Sequence, residues 1–452
     1  MKRVDCRAFP NDLVRLIEEN PIGRNEDLAC IIELLDTIEG PYSLFLDSEW
    51  GSGKTFFVKQ LELVLQCLND NLQSFPGLRD AIDDDASLSR LDQQSTMLPI
   101  YYNAWEHDFW DDPIVPLVQV IACDFDISSE VPRDKETADR IADIIDAVLK
   151  PLNFDVANGI RKAVTSENLI QRYRDCCQIR DHVENLVSEI LPNRAKKLLL
   201  IIDELDRCRP TFALKLLEEV KTLFDDNRVT VLYSINLSQI SYTIEHAYGQ
   251  GFDAARYMLR FYDEKITLAA PNNREYLGRL GIPDNSYRNN IIAHEMADAL
   301  GMTLRDMNRY YVELKQAQDQ KDARQHSPSN DAAVLFAEAG LVPVLLAVKV
   351  MSPSDFQSIT HMRNHSILME YVNLSKEAVA FLDGAYGHIA NSKARPESAD
   401  EIDEARREMM KNYCELIWNT NTASQSYRDA HDVLLERSFC CNGLRYINEL
   451  LR

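Results

Sequence analysis

The amino-acid sequence predicts an α/β fold in which a parallel sheet is followed by an all-helical C-terminal region. Three observations favour this fold class. An apolar strand at Tyr42–Leu46 passes through a glycine-rich turn into a helix. The strand predicted at Lys197–Asp203 is apolar at every position from 198 to 202, which is typical of a parallel strand covered by helices on both faces. Beyond residue 268, the apolar residues recur only at helical spacing.

The other elements follow in chain order. A helical lead-in over residues 1–40 is broken at Pro21-Ile22-Gly23. The acidic run Asp83–Asp85 predicts a solvated loop, and a second strand covers about Met97 to Asn103. A helical insert of about residues 113–195 then precedes the buried strand. The later predicted elements are a helix at Thr211–Phe224, a strand at Val229–Ile235 and a strand candidate at Lys265–Leu268.

Length and charge narrow the class of protein. The chain has 452 residues and a formal net charge of −23, which disfavours a surface that wraps nucleic-acid phosphates but leaves room for a local basic groove. No apolar run reaches the roughly 20 residues of a membrane span, and the N-terminus lacks the apolar core of a signal peptide. We therefore expect a cytoplasmic protein with no membrane contact, whose ten cysteines stay mostly reduced.

The glycine-rich turn has the residues of a phosphate-binding loop. Glycines let backbone amides approach phosphate oxygens, and the N-terminus of the following helix carries partial positive charge. Lys54 would reach the β- and γ-phosphates, and the Thr55 hydroxyl would ligate Mg²⁺. Ser48 stands where the G-x-x-x-x-G-K-[ST] pattern has its first glycine, so the φ angle of Ser48 has to be negative. The residues expected to contact the nucleotide are Trp50, Gly51, Ser52, Gly53, Lys54, Thr55 and Phe56.

Two carboxylates end the buried strand, at the sheet edge where open α/β folds bind ligands. Asp203 would hold Mg²⁺, largely through its water shell. Glu204 would polarise the attacking water. Asn236 closes the next strand, where its side chain would either sense the γ-phosphate or cap the following helix. The sequence therefore predicts a site that binds an ATP-like nucleotide with Mg²⁺ and hydrolyses it.

Three strings of residues resemble the KAP family of P-loop NTPases over about residues 20 to 310. They are Trp50-Gly51-Ser52-Gly53-Lys54-Thr55, Asn103-Ala104-Trp105-Glu106 and Asp203-Glu204-Leu205-Asp206-Arg207-Cys208-Arg209-Pro210, of which the last is the most specific. The resemblance implies a P-loop NTPase domain over residues 1–310, with an additional strand between the phosphate-loop strand and the Asp203 strand. Residues 318–452 would form a helical domain to which the sequence assigns no role, joined through a polar linker at Gln316–Asp331.

The chain departs from the family pattern at some positions, and it also has a segment similar to the family's lid. Ser48 and Glu49 stand where the family usually has Gly and Pro. Many members carry transmembrane helices inserted in the domain, whereas this chain has none, so membrane attachment is not expected. Residues of about 286–317 are similar to the family's helical lid, from which Arg305 would contact the γ-phosphate. The alternative for Arg305 is a surface arginine paired with an acid.

Several further side chains near these motifs have open assignments. Arg207 and Arg209 could position the substrate or a neighbouring subunit, and Arg256 and Arg260 are alternative donors of an arginine in trans. Asn103 and Glu106 could face the nucleotide or order the attacking water. Trp105 and Trp110 are expected to be packing anchors, and Trp50 to cover the nucleotide or a partner surface.

Three functions fit these features. In the first, hydrolysis drives a molecular switch, and the resemblance implies a role in bacterial anti-phage defence with a partner effector. In the second, the protein is a slow nucleotide-gated scaffold that binds a protein partner or self-associates. In the third, it is a nucleic-acid-dependent ATPase, for which the support is a group of basic residues on the insert, Lys162, Arg172, Arg174 and Arg180.

Overall fold

The computed structural model describes residues 8–91, 97–127, 180–192, 194–268, 272–285, 287–323, 335–362, 364–389 and 398–418. The chain divides into two compact units, Met1–Ala270 and Pro271–Arg452. Most of the insert, residues 128–179, and residues 419–452 lie outside the described ranges, as do Lys162, Arg172 and Arg174.

A five-stranded, all-parallel sheet forms the centre of the first unit, which confirms the predicted α/β fold class. The strand order is β2-β3-β4-β1-β5, so β4 is the additional strand between β1 and β3. The strands are β1 Tyr42–Asp47, β2 Met97–Asn103, β3 Lys197–Asp203, β4 Val229–Ile235 and β5 Glu264–Thr267.

The continuous apolar run of β3 reflects a core on each face of the sheet. Leu198, Leu200 and Ile202 join one hydrophobic cluster. Leu199 and Ile201, which point to the opposite face because side chains alternate along a strand, join the other. A strand buried on both faces has no position for a polar side chain until it ends. The register then places Asp203 beside Asn103 of β2 and Ser234 of β4, so the strand ends meet at one edge.

Helices flank the sheet in the first unit. The predicted break at Pro21-Ile22-Gly23 is confirmed, because the first helix ends at Glu19, its C-cap Asn20 has a left-handed backbone, and the next helix begins at Asn25. The helices are α1 Pro10–Glu19, α2 Asn25–Thr37, α3 Lys54–Leu68, α4 Leu78–Asp84, α5 Ile114–Ile127, α6 180–190, α7 Pro210–Leu223, α8 Leu237–Tyr248 and α9 Ala254–Met258.

The described part of the second unit is helical throughout, as the sequence predicts. A π-helical turn at Ala337–Leu341 runs directly into the helix that follows it. None of the described helices of the protein combines the length and the hydropathy of a membrane span. The helices are α10 Asn273–Leu280, α11 Arg288–Ala299, α12 Leu304–Ala323, α13 Val342–Met351, α14 Pro353–Met362, α15 His365–Val372, α16 Lys376–Ile389 and α17 Ala399–Trp418.

Two predicted loops are partly helical. Asp83 and Asp84 belong to the last turn of α4, and Asp85 accepts hydrogen bonds from the backbone amides of Ser87 and Leu88. Of the polar linker predicted at Gln316–Asp331, residues 316–323 continue α12, and the rest lies outside the described residues. Asp83 and Asp84 are exposed, as predicted, but they are helical because Leu78, Ala81 and Ile82 bury the inner face of α4. Residues 316–323 are helical where a linker was predicted, because they extend the helix that begins at Leu304.

Candidate active site

The loop between β1 and α3 has the backbone conformation that phosphate binding requires. Gly51 and Gly53 have φ angles of 86° and 93°, in the left-handed region that glycine adopts without steric cost. Only Asn20 and Glu204 have positive φ among the described non-glycine residues. Ser48 therefore keeps a negative φ, so serine is compatible with the first position of the loop.

The Lys54 side chain folds back over this loop. Its ammonium donates hydrogen bonds to the carbonyl of Ser48 and, at 3.1 Å, to that of Glu49. Burial lowers the pKa of Lys54, and the carboxylates of Asp206 and Asp203 oppose that shift. A buried ammonium whose hydrogen-bond partners are carbonyls is available to an anion that enters the loop.

Thr55 and Glu204 are in direct contact, although 149 positions separate them in the sequence. The Thr55 hydroxyl donates a 3.0 Å hydrogen bond to Oε1 of Glu204. The Glu204 Oε2 atom forms an ion pair with Nε of Arg207. Burial and the nearby Asp203 raise the pKa of Glu204, whereas Arg207 and Thr55 favour its ionised form. The predicted catalytic carboxylate therefore lies beside the predicted metal-ligating hydroxyl.

Asp203 is 1 % exposed and is oriented by a tyrosine of the neighbouring strand. The Tyr101 hydroxyl donates a 3.0 Å hydrogen bond to Asp203 Oδ2. Burial and the Asp203 charge raise the pKa of Tyr101, so this hydroxyl keeps its proton at neutral pH. The Lys59 ammonium lies 3.2 Å from the centre of the Tyr101 ring, a cation–π contact that holds the ring in place.

Asp206 connects three segments around the loop. Its Oδ2 atom accepts a 2.6 Å hydrogen bond from the Trp50 indole and a 2.9 Å hydrogen bond from the backbone amide of Asn236. The Asn236 side chain accepts a 3.1 Å hydrogen bond from the Gln239 amide and thereby caps α8. This cap is the alternative that the sequence left open for Asn236, and its role as a γ-phosphate sensor stays a prediction.

The residues after β2 form a short turn on the surface. Asn103 accepts a 3.1 Å hydrogen bond from the Trp105 amide and donates a 3.0 Å hydrogen bond to Glu106, so these two polar side chains hold the turn together. Trp110 packs against the core as predicted. The prediction that Trp105 is a packing anchor was wrong, because Trp105 is 54 % exposed in the 3₁₀ turn that follows the strand.

The candidate arginines differ in their contacts. Arg207 reaches Glu204, whereas Arg209 pairs with Asp108 at 3.3 Å and donates to the Trp110 carbonyl, which fixes it to the surface turn. Arg256 and Arg260 are exposed, and the Arg260 guanidinium lies 5.6 Å from the Tyr257 ring centre.

Arg305 lies in the first turn of α12, in the second unit. It is exposed, and its contact with the γ-phosphate stays a prediction.

The donor set at this edge fits a nucleotide with Mg²⁺. Mg²⁺ prefers oxygen ligands and keeps several waters, so one hydroxyl, one carboxylate and the phosphate oxygens suffice. Thr55 and Asp203 would supply those two oxygens, and the buried Ser52 hydroxyl has no hydrogen-bond partner among the described residues. Within the described ranges, no group of three or more His, Cys, Asp or Glu side chains is arranged to hold a metal ion by protein ligands alone.

Sequence reasoning missed Tyr101, Lys59 and Asp206. The signal for Tyr101 is the parallel register of β2 and β3, which sets Tyr101 beside Ile201 two positions before Asp203. The register is a property of the sheet and is not written in either strand alone. Asp206 stood inside the string that carried the family resemblance, but the backbone turn after Glu204 is what brings it to Trp50.

Comparison with known proteins agrees with this geometry. The model of the KAP family P-loop domain matches residues 25–315, which is more than half of the chain. The match includes the phosphate loop, the carboxylates after β3, Asn236 and Arg305. A search of the curated proteins finds no match. The chain belongs to the KAP family of P-loop NTPases.

Proposed function

We propose that the protein binds ATP with Mg²⁺, hydrolyses it and works as a nucleotide-driven molecular switch. The observation that supports this most directly is the contact between Thr55 and Glu204. It brings the predicted metal ligand, the predicted base and the phosphate loop together at the carboxyl edge of the sheet. Asp203, the second predicted metal ligand, directly precedes Glu204 at the end of β3.

Each residue has a role that its surroundings support. Lys54 would exchange the carbonyls of Ser48 and Glu49 for phosphate oxygens. Thr55 and Asp203 would hold Mg²⁺, which when bound neutralises charge on the phosphates. Glu204 would orient the attacking water, and burial raises its pKa, which makes the carboxylate a stronger proton acceptor.

A slow, nucleotide-gated scaffold is the second candidate, and one observation favours it. Both carboxylate oxygens of Glu204 contact groups of the chain itself, Thr55 and Arg207, although only Oε1 accepts a hydrogen bond, so the carboxylate has to release a contact before it can orient a water. For the nucleic-acid-dependent alternative, Arg180 is the one described residue of its basic group, and it pairs with Asp225 at 3.0 Å. A role in bacterial defence against phage, with an effector as protein partner, stays a prediction from the family resemblance.

The test is ATP binding and turnover by the wild-type chain beside Lys54→Ala and Glu204→Gln, with the molecular mass recorded with and without ATP. We expect Lys54→Ala to lose binding, and Glu204→Gln to bind ATP while losing turnover by about 10²-fold or more. Lys196→Ala removes an exposed lysine outside the site and serves as the control. Binding without turnover in the wild type, together with a change in mass, would select the scaffold. Absence of ATP binding would refute both candidates.

A further inference from the structure

The two oxygens of the Glu204 carboxylate contact residues from two different segments of the chain. Oε1 accepts the Thr55 hydrogen bond at 3.0 Å, and Oε2 pairs with Arg207. The Glu204 side chain is 11 % exposed and that of Arg207 is 31 % exposed. The pair is thus shielded from water on the carboxylate side, where solvent screens it less than on the open surface.

Arg207 also contacts the protein surface. Its guanidinium lies 5.5 Å from the centre of the Trp105 ring, within the range of a cation–π interaction. Trp105 is more than half exposed. The contacts from Glu204 to Arg207 and from Arg207 to Trp105 therefore connect the half-buried carboxylate to the protein surface, through the two 3₁₀ turns that follow β2 and β3.

The two partners of Glu204 are not equivalent when a nucleotide enters. Mg²⁺ would be ligated by the Thr55 hydroxyl oxygen. The hydrogen bond from Thr55 to Glu204 would then be weakened or lost. Arg207 has no such competing role, since its contacts among the described residues are with Glu204 and the Trp105 ring. After Thr55 is withdrawn, Arg207 is therefore the contact that decides where the Glu204 carboxylate points.

We propose that Arg207 is a positioning residue that restrains Glu204 away from its water-activating arrangement, and that the exposed Trp105 ring supports Arg207 in this position. The inference rests on the proposed hydrolytic function and adds to it a restraint on the same site. A contact that moves the Trp105 ring would act on Glu204 through Arg207. The rate of hydrolysis would thereby be linked to one accessible side chain.

The first experiment measures turnover and nucleotide affinity separately. Arg207→Gln removes the charge that holds Glu204, so kcat for ATP should rise about fivefold while the Kd for nucleotide stays within about twofold. Arg207→Lys keeps a positive charge and should stay near the wild-type rate. Trp105→Leu should raise kcat in the same direction by a smaller factor. Arg180→Gln, which breaks a surface ion pair with Asp225, is the matched control and should change nothing.

The second experiment needs no nucleotide. The emission of Trp105 is obtained as the difference between each protein and the same protein carrying Trp105→Phe. In the nucleotide-free chain, Glu204→Gln should change the acrylamide quenching of this difference signal, because Arg207 loses its charged partner and shifts against the ring. Arg180→Gln should leave the quenching at the wild-type value.

The outcomes separate this inference from the proposed function. A wild-type chain that binds no ATP contradicts the proposed function, and the quenching of Trp105 still decides whether the restraint exists. If ATP is hydrolysed but Arg207→Gln lowers kcat or leaves it unchanged, Arg207 does not restrain Glu204. Equal quenching of Trp105 in the wild type and Glu204→Gln would also overturn the inference.

Discussion

The backbone at Glu204 decides where the side chains that follow β3 lie. Glu204 has φ 61° and ψ 21°, a left-handed conformation that costs a residue with a Cβ atom roughly 1–2 kcal/mol. The strand ends there, and the 3₁₀ turn Leu205–Arg207 begins. This turn brings Arg207 back to the Glu204 carboxylate and Asp206 to the Trp50 indole. Strain of this kind persists where the surrounding contacts fix the conformation, which is common at functional sites.

Tyr101 gives a residue-scale prediction for metal binding. Tyr101→Phe keeps the ring under Lys59 but removes the hydroxyl that orients Asp203. Loss of a group that orients a metal ligand typically weakens metal affinity by about 10- to 100-fold. We therefore expect the Mg²⁺ concentration for half-maximal ATP binding or turnover to rise by about 10-fold or more, measured by titration of Mg²⁺ at fixed ATP.

The adjacent residue supplies the matched control. The hydroxyl of Tyr102 is buried without a hydrogen-bond partner, so Tyr102→Phe removes the same atom without removing an interaction with Asp203. Its Mg²⁺ dependence should equal that of the wild type. Equal Mg²⁺ titrations for both variants would mean that Tyr101 does not position the metal ligand.

At the scale of elements, the strands of the sheet were predictable because a parallel strand buried on both faces appears in the sequence as a continuous apolar run. The run before Asp203 is apolar on both faces, so β3 was predicted to the residue, and β1 was predicted one residue short of Asp47. The position at which α12 ends was not predicted, because residues 316–323 are mostly polar and show no apolar periodicity. The exposure of Trp105 depends on the turn after β2, which its residue type does not reveal.

The candidate site divides in the same way. The phosphate loop and the carboxylates after β3 are contiguous motifs, and the sequence predicted both. The contacts of Tyr101 with Asp203 and of Trp50 with Asp206 join residues more than one hundred positions apart. They follow from strand register and from the left-handed Glu204, which are tertiary properties.

The junction of α7 with the start of α5 gives a pH-dependent prediction. Lys215 pairs with Asp112 at 2.6 Å and with Glu219 at 3.6 Å. Burial and the Asp112 charge, with a smaller effect of Glu218, raise the pKa of Glu219 to about 7, and Lys215 opposes this shift. The folded-state pKa is thus above the ordinary value. The proton on Glu219 stabilises the fold fully below about pH 4.5, and this stabilisation is lost as pH rises through 7.

Replacement of Glu219 tests this sign. Glu219→Gln keeps the shape of the side chain and removes its charge, so the variant should be more stable than the wild type by about 1–3 kcal/mol at pH 8. The difference should disappear near pH 4.5. Urea unfolding between pH 4.5 and 8 measures it, with Glu18→Gln, an exposed glutamate of α1, as the control. A constant difference across this range would mean that Glu219 titrates normally.

At the scale of the whole molecule, the family match and the compact units have different boundaries. The match runs to residue 315, whereas the first compact unit ends at Ala270. The family domain therefore includes α10, α11 and the first part of α12, and of these α11 and α12 pack on the C-terminal helix α13 in the second unit. The segment predicted as a lid, about 286–317, belongs to this shared part. A nucleotide signal that reaches the lid would reach the C-terminal helices through their common packing.

Arg305 tests whether the second unit takes part in turnover. Arg305 and Arg309 are both exposed and lie four residues apart, on the same face of α12. If Arg305 contacts the γ-phosphate, Arg305→Ala should lower kcat by about 10²-fold with little change in ADP affinity, because ADP lacks the phosphate that the arginine would contact. Arg309→Ala removes the same charge one turn later and should keep the wild-type kcat. If both variants keep the wild-type kcat, Arg305 is a surface arginine that does not contact the γ-phosphate.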